Sequence, residues 1–521
     1  MAHHINIDGF LKEISMLDDS KKNPRILIVT PEVTYLPEGM GNIANRLTAK
    51  AGGLADVSAA LISALFDQGA DVHVALPDYR GIFSAQLAHL FGKELDLIRR
   101  KMPDERIHLA EDRVFYYLNH VYSNYGWENL KIALSFQREV INNIIPRVRP
   151  DLIHCNDWMT GLIPSVSRKL GIPCLFTIHN IHTKKTFLSS IEDTGIDAAS
   201  FWQNLYYERM AYDYWGTRES NPVDLLTSGV FASHFVNTVS PTFLMEIIEG
   251  KHNFVEPYLK QELSNKWSSG CAVGILNAPD STFNPATDSE IECRYSEKDF
   301  TRGKTENKIA FQKKLGLLED SAAPMFFWPS RLDSIQKGSQ LLAEIFYAVV
   351  SSNWEKKLQV VFVANGEYQQ HFKCIVDFHR FQDRVAVCDY DEKLERMAYA
   401  ASDFVLMPSR FEPCGLPQMI GPIYGSIPVA HDTGGLHDTI TELVPEKDKG
   451  NGVLFKFYDT EGLLWAIRQA IAFYDLPQRV KQKQIKRIMV ESLANFNHSV
   501  TARQYINLYE KMLQRPLINT W

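Results

Sequence analysis

The sequence predicts an α/β protein built from two Rossmann-like, doubly wound parallel-sheet domains. Three observations carry that reading. Short, almost wholly apolar runs alternate with helix-period segments in both halves of the chain, the pattern of strands covered on both faces by crossover helices. At 521 residues the chain is long enough for two such cores. Polar, glycine-bearing segments follow the apolar runs directly, where ligands of open parallel sheets gather beyond the strand C-termini.

In the first half the expected strands are 25–30, 72–76, 151–155, 174–178 and 235–239. In the second they are 325–328, 358–363, 384–388, 404–407 and 427–430. The boundary falls between Cys271 and Pro324, where GILNAPDSTFNPATD is rich in turn-forming residues. The expected division is an N-terminal arm at 1–23, a first domain at 24–275, a second at 276–498 and a C-terminal helix at 499–521. No short repeat or low-complexity segment interrupts it.

Two glycine-bearing segments carry the chemistry. In the second half, Arg410 to Ile440 sets Glu412 and Cys414 beside Gly415, with the pair Gly434 and Gly435 following about twenty residues later. In the first half, LTAKAGGLADV places Lys50 just before Gly52 and Gly53, which open a helix with Leu54, Val57, Leu61 and Leu65 on one face and Gly69 at its C-terminal end. Glycines at a strand-to-helix turn let backbone amides approach a phosphate, and the helix N-terminus adds positive potential there. A carboxylate beside such a turn can grip sugar hydroxyls. The competing explanation is that each glycine pair only packs a helix closely onto its sheet.

Composition narrows the function. The chain is 45% hydrophobic and 22% charged, an ordinary globular balance, and its net charge of −7 offers no broad basic surface to nucleic acid or membrane. No apolar run is long enough to span a bilayer, and MAHHINIDGFLKEISMLDD lacks a signal-peptide core, so the cytoplasm is the expected compartment. Seven scattered cysteines without a CxxC pair argue against a disulfide framework and a zinc site.

The motifs resemble those of bacterial glycogen synthases and plant starch synthases, glycosyltransferase family 5. The resemblance runs from about Arg25 to Tyr509 and rests on KAGGLADV, HCNDWMTGLIP, TIHN, TVSPTF, GILN, ENKIAFQKKLGL, SRLDSIQKG, YDEKLERMAYAASDFVLMPSRFEPCGL and TGGLHDT. It implies the GT-B architecture, with two Rossmann-like domains facing across a cleft. It also implies transfer of glucose from ADP-glucose or UDP-glucose to the non-reducing end of an α-1,4-glucan, with retention and without metal or other cofactor.

By the same resemblance Arg331, Lys337 and Lys50 would absorb the charge that builds on the departing nucleoside diphosphate. Glu412 would face the transferred sugar, either as a nucleophile or as a support for positive charge at its anomeric carbon. His179 would lie near the donor sugar, Asp157 and Trp158 beside the sugars, and Tyr390 on the nucleobase. Further substrate contacts are implied for Gly52, Gly53, Asn277, Cys414, Gly415, Leu416, Thr433, Gly434 and Gly435, with Cys414 lining the site rather than reacting.

Several positions depart from the family pattern. VTYLPEGMGNIANRLTA intervenes before Lys50, at the expected mouth of the cleft. IHTKK follows HN, Ile335 is an apparent extra residue between Arg331 and Lys337, and GILNAPDSTF replaces the commoner GILNGID. Donor-side groups persist while acceptor-side elements differ. Two alternatives therefore stand beside a glucan synthase: a retaining glycosyltransferase with a non-glucan acceptor, and a non-catalytic glycan-binding protein.

Overall fold

Each half of the chain closes one parallel sheet around its own apolar strands. The computed structural model describes residues 23–41, 44, 47–87, 106–123 and 125–518, so the expected arm, apart from Asn23, lies outside them. Among the described residues the first sheet holds β1 (Arg25–Val29), β2 (Asp71–Pro77), β3 (Ile107–Ala110), β4 (Leu152–Asn156), β5 (Cys174–Ile178), β8 (Phe235–Thr238) and β9 (Ala272–Gly274), in the order β3-β2-β1-β4-β5-β8-β9. The numbers missing from that series, β6 (Lys185–Thr186) and β7 (Val223–Asp224), form a separate antiparallel ribbon. The second sheet runs β12-β11-β10-β13-β14-β15, from β10 (Met325–Trp328), β11 (Gln359–Val363), β12 (Val385–Cys388), β13 (Phe404–Met407), β14 (Ile427–His431) and β15 (Val453–Phe455).

All ten expected strands are present. The sequence reading missed β3, β9 and β15, and these are edge strands, each paired on one side only. An edge strand needs less apolar length than a central one, so four residues of β3 and three each of β9 and β15 left too little pattern to read. The central strands are apolar because both faces are covered: Ile26, Leu27, Ile28 and Val29 of β1 are all at or below 1% exposure.

The helix Gly53–Asp67 buries Val57, Leu61 and Leu65, while Leu54 stays half-exposed. It ends as expected at Gly69, whose φ of +86° is a backbone state that favours glycine. The helix His498–Leu513 returns to the first half: Ala502, Tyr505 and Tyr509 join the core formed around the first sheet. There the Tyr509 hydroxyl lies 2.8 Å from His154 Nδ1 on β4, and the Tyr505 hydroxyl accepts from Asn237 Nδ2 on β8 at 3.2 Å. The described residues of the 33–49 segment do not line the cleft. They fold against the first core, burying Leu36, Met40 and Leu47, and the Tyr35 hydroxyl donates to Asp280 at 2.9 Å.

The two halves also meet through a pair of helices, Pro241–Glu249 and Gly434–Thr439, each carrying an acid that serves the other's N-terminus. Glu246 accepts from the Gly434 amide at 3.1 Å and from the Thr433 hydroxyl. Asp438 accepts from the Thr242 amide at 3.1 Å and from the hydroxyls of Thr242 and Ser240. Orphan amides at a helix start are thus satisfied across the joint.

Replacing Tyr509 with Phe should lower the unfolding free energy by about 1–3 kcal/mol, since it strands a fully buried ring nitrogen of His154. Urea denaturation of the two chains checks this, and an unchanged midpoint would remove the hydrogen bond from the account.

Candidate functional site

Five polar groups of the site stand just past strands. A cleft of about 640 Å³ opens where the C-terminal ends of the two sheets face each other. Glu32 follows β1, Asp157 follows β4, His179 follows β5, Arg331 follows β10 and Glu412 follows β13, and all five line the cleft.

On the second half, the turn after β10 is shaped by Asp333, whose Oδ1 accepts the amides of Ile335, Gln336 and Lys337 at 3.2, 2.7 and 3.2 Å. Ile335 is thereby turned outward, 69% exposed, away from the cleft lining. Arg331 and Lys337 both reach the cleft wall. Lys337 Nζ lies 2.6 Å from Glu412 Oε2, with both side chains largely buried, and the Ser409 hydroxyl donates to the same oxygen at 3.1 Å. Arg331 remains 72% exposed, 3.8 Å from Asp333. Glu412 does not cap the helix that follows, Pro417–Ile423; its charge is spent on Lys337.

The two glycine pairs serve opposite purposes. A Cβ at Gly52 or Gly53 would meet no atom within 4 Å, so close packing does not require these glycines, and both border the open cleft. A Cβ at Gly434 would sit 2.1 Å from Glu412 O, and one at Gly435 2.1 Å from Cys414 O. Thr433, Gly434 and Gly435 thus stand outside the cleft lining, as a buttress behind the Glu412–Gly415 turn. The Gly434 amide already goes to Glu246, and the Gly435 amide to Glu412 O at 2.9 Å. Gly415, at φ +74°, and Leu416 do line the cleft, beside Cys414. Burial pushes the Cys414 thiol up to about 12, so it holds its proton, as expected for a lining group.

On the first half, the amides of Ala51 and Gly52 are taken by Glu32 Oε2 at 2.7 and 3.0 Å, and the Tyr122 hydroxyl donates to Glu32 Oε1 at 3.0 Å. Burial raises the Glu32 pKa despite those three donors. This glutamate, with Tyr122, Asn129 and His182, is the part of the site the sequence reading did not assign. Its signal was position alone, three residues past β1. Lys50 stands beside the cleft lining rather than in it: its ammonium pairs with Asp56 at 3.0 Å and faces a side pocket with Thr48, Asn119 and His120.

Asp157 sits at φ +56°, a strained conformation for a residue with a side chain, and is 5% exposed. Its Oδ1 accepts the His179 amide at 2.7 Å and its Oδ2 the Asn180 side chain at 3.3 Å. Burial raises its carboxyl to about 7 against the pull of the His179 and Asn180 amides, while nearby Glu32 adds to the rise. Burial holds His179 at about 3, so the ring is neutral and Nε2 donates to Asn156 Oδ1 at 2.9 Å. Trp158 lines the cleft with its ring against the first-half cores. Asn277 Oδ1 is buried in the cleft wall with no hydrogen-bond partner in the protein. Tyr390 stands outside the lining, 47% exposed, its amide held by Asn365 at 2.9 Å. Among the described residues no group of three or more His, Cys, Asp or Glu side chains is placed to hold a metal ion.

Two parallel-sheet domains with such a cleft between their strand ends define a glycosyltransferase of the GT-B type. The comparisons place it more closely. Residues 25–261 match the starch synthase catalytic domain and 317–487 match glycosyl transferases group 1. The chain is 32% identical to a glycogen synthase of Moorella thermoacetica over 94% of its length and 97% of the relative's, and 30% identical to that of Bacillus subtilis over 89% and 95%. It superposes on the catalytic domain of Arabidopsis thaliana starch synthase IV, bound to ADP and acarbose, with a TM-score of 0.75 at 26% identity, covering 95% of this chain and 100% of that one. A sucrose-phosphate synthase from Thermosynechococcus elongatus, 17% identical with a TM-score of 0.53 over 94% of this chain and 99% of that one, shares the fold. The chain belongs to the glycogen synthase family.

Two outcomes test this geometry. Gly53→Ala should leave thermal stability nearly unchanged, whereas Gly435→Ala should lower it clearly, because only the second Cβ collides with backbone. Folded Asp157 keeps its proton to about pH 7, while an unfolded aspartate releases it near pH 4. The folded chain therefore binds an extra proton across that window, and stability falls as pH rises through it. Asp157→Asn should flatten that fall in a series of denaturation curves between pH 4 and 7; an unaltered slope would contradict the assignment.

Proposed function

We propose that this protein elongates an α-1,4-glucan at its non-reducing end, taking glucose from ADP-glucose, or alternatively UDP-glucose, with retention at the anomeric carbon. The observation that carries the reading is the buried Lys337–Glu412 pair at the cleft floor, with Arg331 beside it and Asn277 Oδ1 left without a partner. Departure of a nucleoside diphosphate builds negative charge on its oxygens. Arg331 is a weakly engaged cation able to take that charge, and Lys337 can share its proton donors between Glu412 and a phosphate oxygen without moving far.

Glu412 then stands opposite the leaving group with a second oxygen for sugar hydroxyls or for positive charge at the anomeric carbon. Neutral His179 adds no charge of its own. On the other wall, Glu32 and Asp157 supply acceptors for hydroxyl groups, which suits a carbohydrate acceptor and disfavours a second anion there. Support for the donor comes from the Arabidopsis neighbour, whose structure holds ADP and acarbose. Lys50 and Tyr390 belong to the same reading as groups at the cleft's edges, and the sugar donor is a substrate, with no further cofactor required. No described helix is long and apolar enough to cross a membrane, and we infer a cytoplasmic enzyme.

Arg331→Ala should reduce turnover roughly 10²–10³-fold with stability unchanged, because the side chain is exposed. Lys337→Ala should cost activity and also destabilise the fold by roughly 3–5 kcal/mol, since it leaves Glu412 buried and unpaired. Released nucleoside diphosphate and product chain length, measured with each donor and with glycogen or maltooligosaccharides, decide the reading. Glucan-dependent release with longer chains supports it; release indifferent to glucan would remove the acceptor assignment.

A further inference from the structure

A second cavity, of about 340 Å³, lies at the end of the second sheet opposite the cleft. Phe404 and Ile427, the first residues of β13 and β14, line it, together with one face of the helix Phe300–Leu315. Lys304 and Lys308, one turn apart on that helix, are 8% and 3% exposed in its wall. Lys481 joins them from the helix Gln478–Asn495. Among the described residues Asp403 is the one acid in the lining.

The three ammonium groups crowd together. Lys308 Nζ and Lys481 Nζ both stand over the ring of Tyr474, at 5.8 and 4.3 Å. Lys308 pairs with Asp403 Oδ2 at 2.6 Å and donates to Ala323 O at 3.0 Å. Lys304 is held by carbonyls instead, donating to Ala400 O and Tyr424 O at 3.1 Å each, and burial pulls its pKa down to about 7. Lys481 donates to Tyr474 O at 2.7 Å. Nearby Asp320 and Asp475 do not balance the excess, because Lys357 and Lys356 hold them at 2.8 and 2.7 Å.

Three cations around one carboxylate repel one another, and like charges a turn apart weaken a helix. Helix-end carbonyls explain Lys304 as a structural group, yet they do not explain a hollow beside it. Lys308 and Lys481 keep N–H donors beyond the bonds they make here. The mouth of the hollow is polar, with Thr301, Thr305, Ser321 and Gln478 exposed along it. Gln478 also opens its helix, whose positive end adds to the cationic floor.

We propose that this cavity binds a phosphate dianion, either free or as the phosphoryl group of a small polar metabolite whose hydroxyls reach the mouth. Phosphate oxygens would take the spare hydrogens of Lys308 and Lys481, and the dianion would offset the surplus charge. A ligand bound at the starts of β13 and β14 would not compete with one in the cleft, so the site stands apart from the transferase reading and does not depend on it.

Isothermal titration calorimetry of the full-length chain with sulfate, inorganic phosphate and glucose 1-phosphate tests this. Sulfate has no proton to exchange near neutrality, whereas Lys304 is mostly neutral at pH 8. Sulfate binding at pH 8 should therefore draw a proton onto the protein, and the heat should depend on the ionisation of the buffer. The other titratable groups facing the cavity are Lys308, Lys481, Asp403 and Tyr474, whose hydroxyl burial holds protonated.

Lys481→Gln should weaken sulfate at least about tenfold, while Lys481→Arg stays within about threefold of the wild type. Arg331→Ala, in the cleft, should bind sulfate like the wild type. Glucose 1-phosphate binding about tenfold tighter than phosphate would assign a metabolite, and equal binding would assign the free ion; either supports the site. No saturable binding, a Lys481→Gln chain that binds like the wild type, binding lost in Arg331→Ala, or heats indifferent to the buffer would each overturn it.

Discussion

The buried ion pair between Lys337 and Glu412 is the constraint around which the second half is arranged. Two charges taken out of water are tolerable only if their geometry is held from all sides. Asp333 bends the turn that delivers Lys337, and Gly338, at φ +76°, lets that turn pass beneath Pro408, whose carbonyl a Cβ would strike at 2.0 Å. Ser409 adds a donor to the carboxylate, and Gly435 braces its backbone from behind. The brace is in turn held by Glu246 from the first half. A line of support thus runs from the opposite domain, through a glycine pair that touches no ligand space, to the group expected to face the transferred sugar.

The cleft draws its charged groups unevenly from the two halves. The second half contributes Arg331, Lys337 and Glu412, while the first contributes the acids Glu32 and Asp157 and a neutral histidine. The first-half glycine loop, which by its sequence reads as a phosphate cradle, already carries a carboxylate on two of its amides.

The sheets were legible because central parallel strands, covered by helices on both faces, must be apolar on both. The cleft residues Asp157, His179, Arg331, Lys337 and Glu412 were assigned through the motifs shared with the glycogen synthase family, and topology sets the segments that carry them after strands at the ligand edge. What escaped was decided by contacts between distant segments. Nothing local distinguishes Gly52 from Gly434; the difference is whether the space beyond the α-carbon holds another backbone. Glu32 went unassigned in the sequence, because its place in the site depends on amides some twenty residues away. Lys50 sits beside the right glycines, yet Asp56, one and a half helical turns on, claims it.

The exchange of acids between the Pro241–Glu249 and Gly434–Thr439 helices bears on how such chains diverge. The halves look like interchangeable modules, and recombination between paralogues at the 271–324 boundary would keep each sheet whole. It would nonetheless separate Glu246 from Thr433–Gly434 and Asp438 from Ser240–Thr242. A hybrid inherits a sound joint only when both parents carry the matching half of each bargain, so the seam acts as a compatibility lock on inheritance, tying the ancestry of one domain to that of the other.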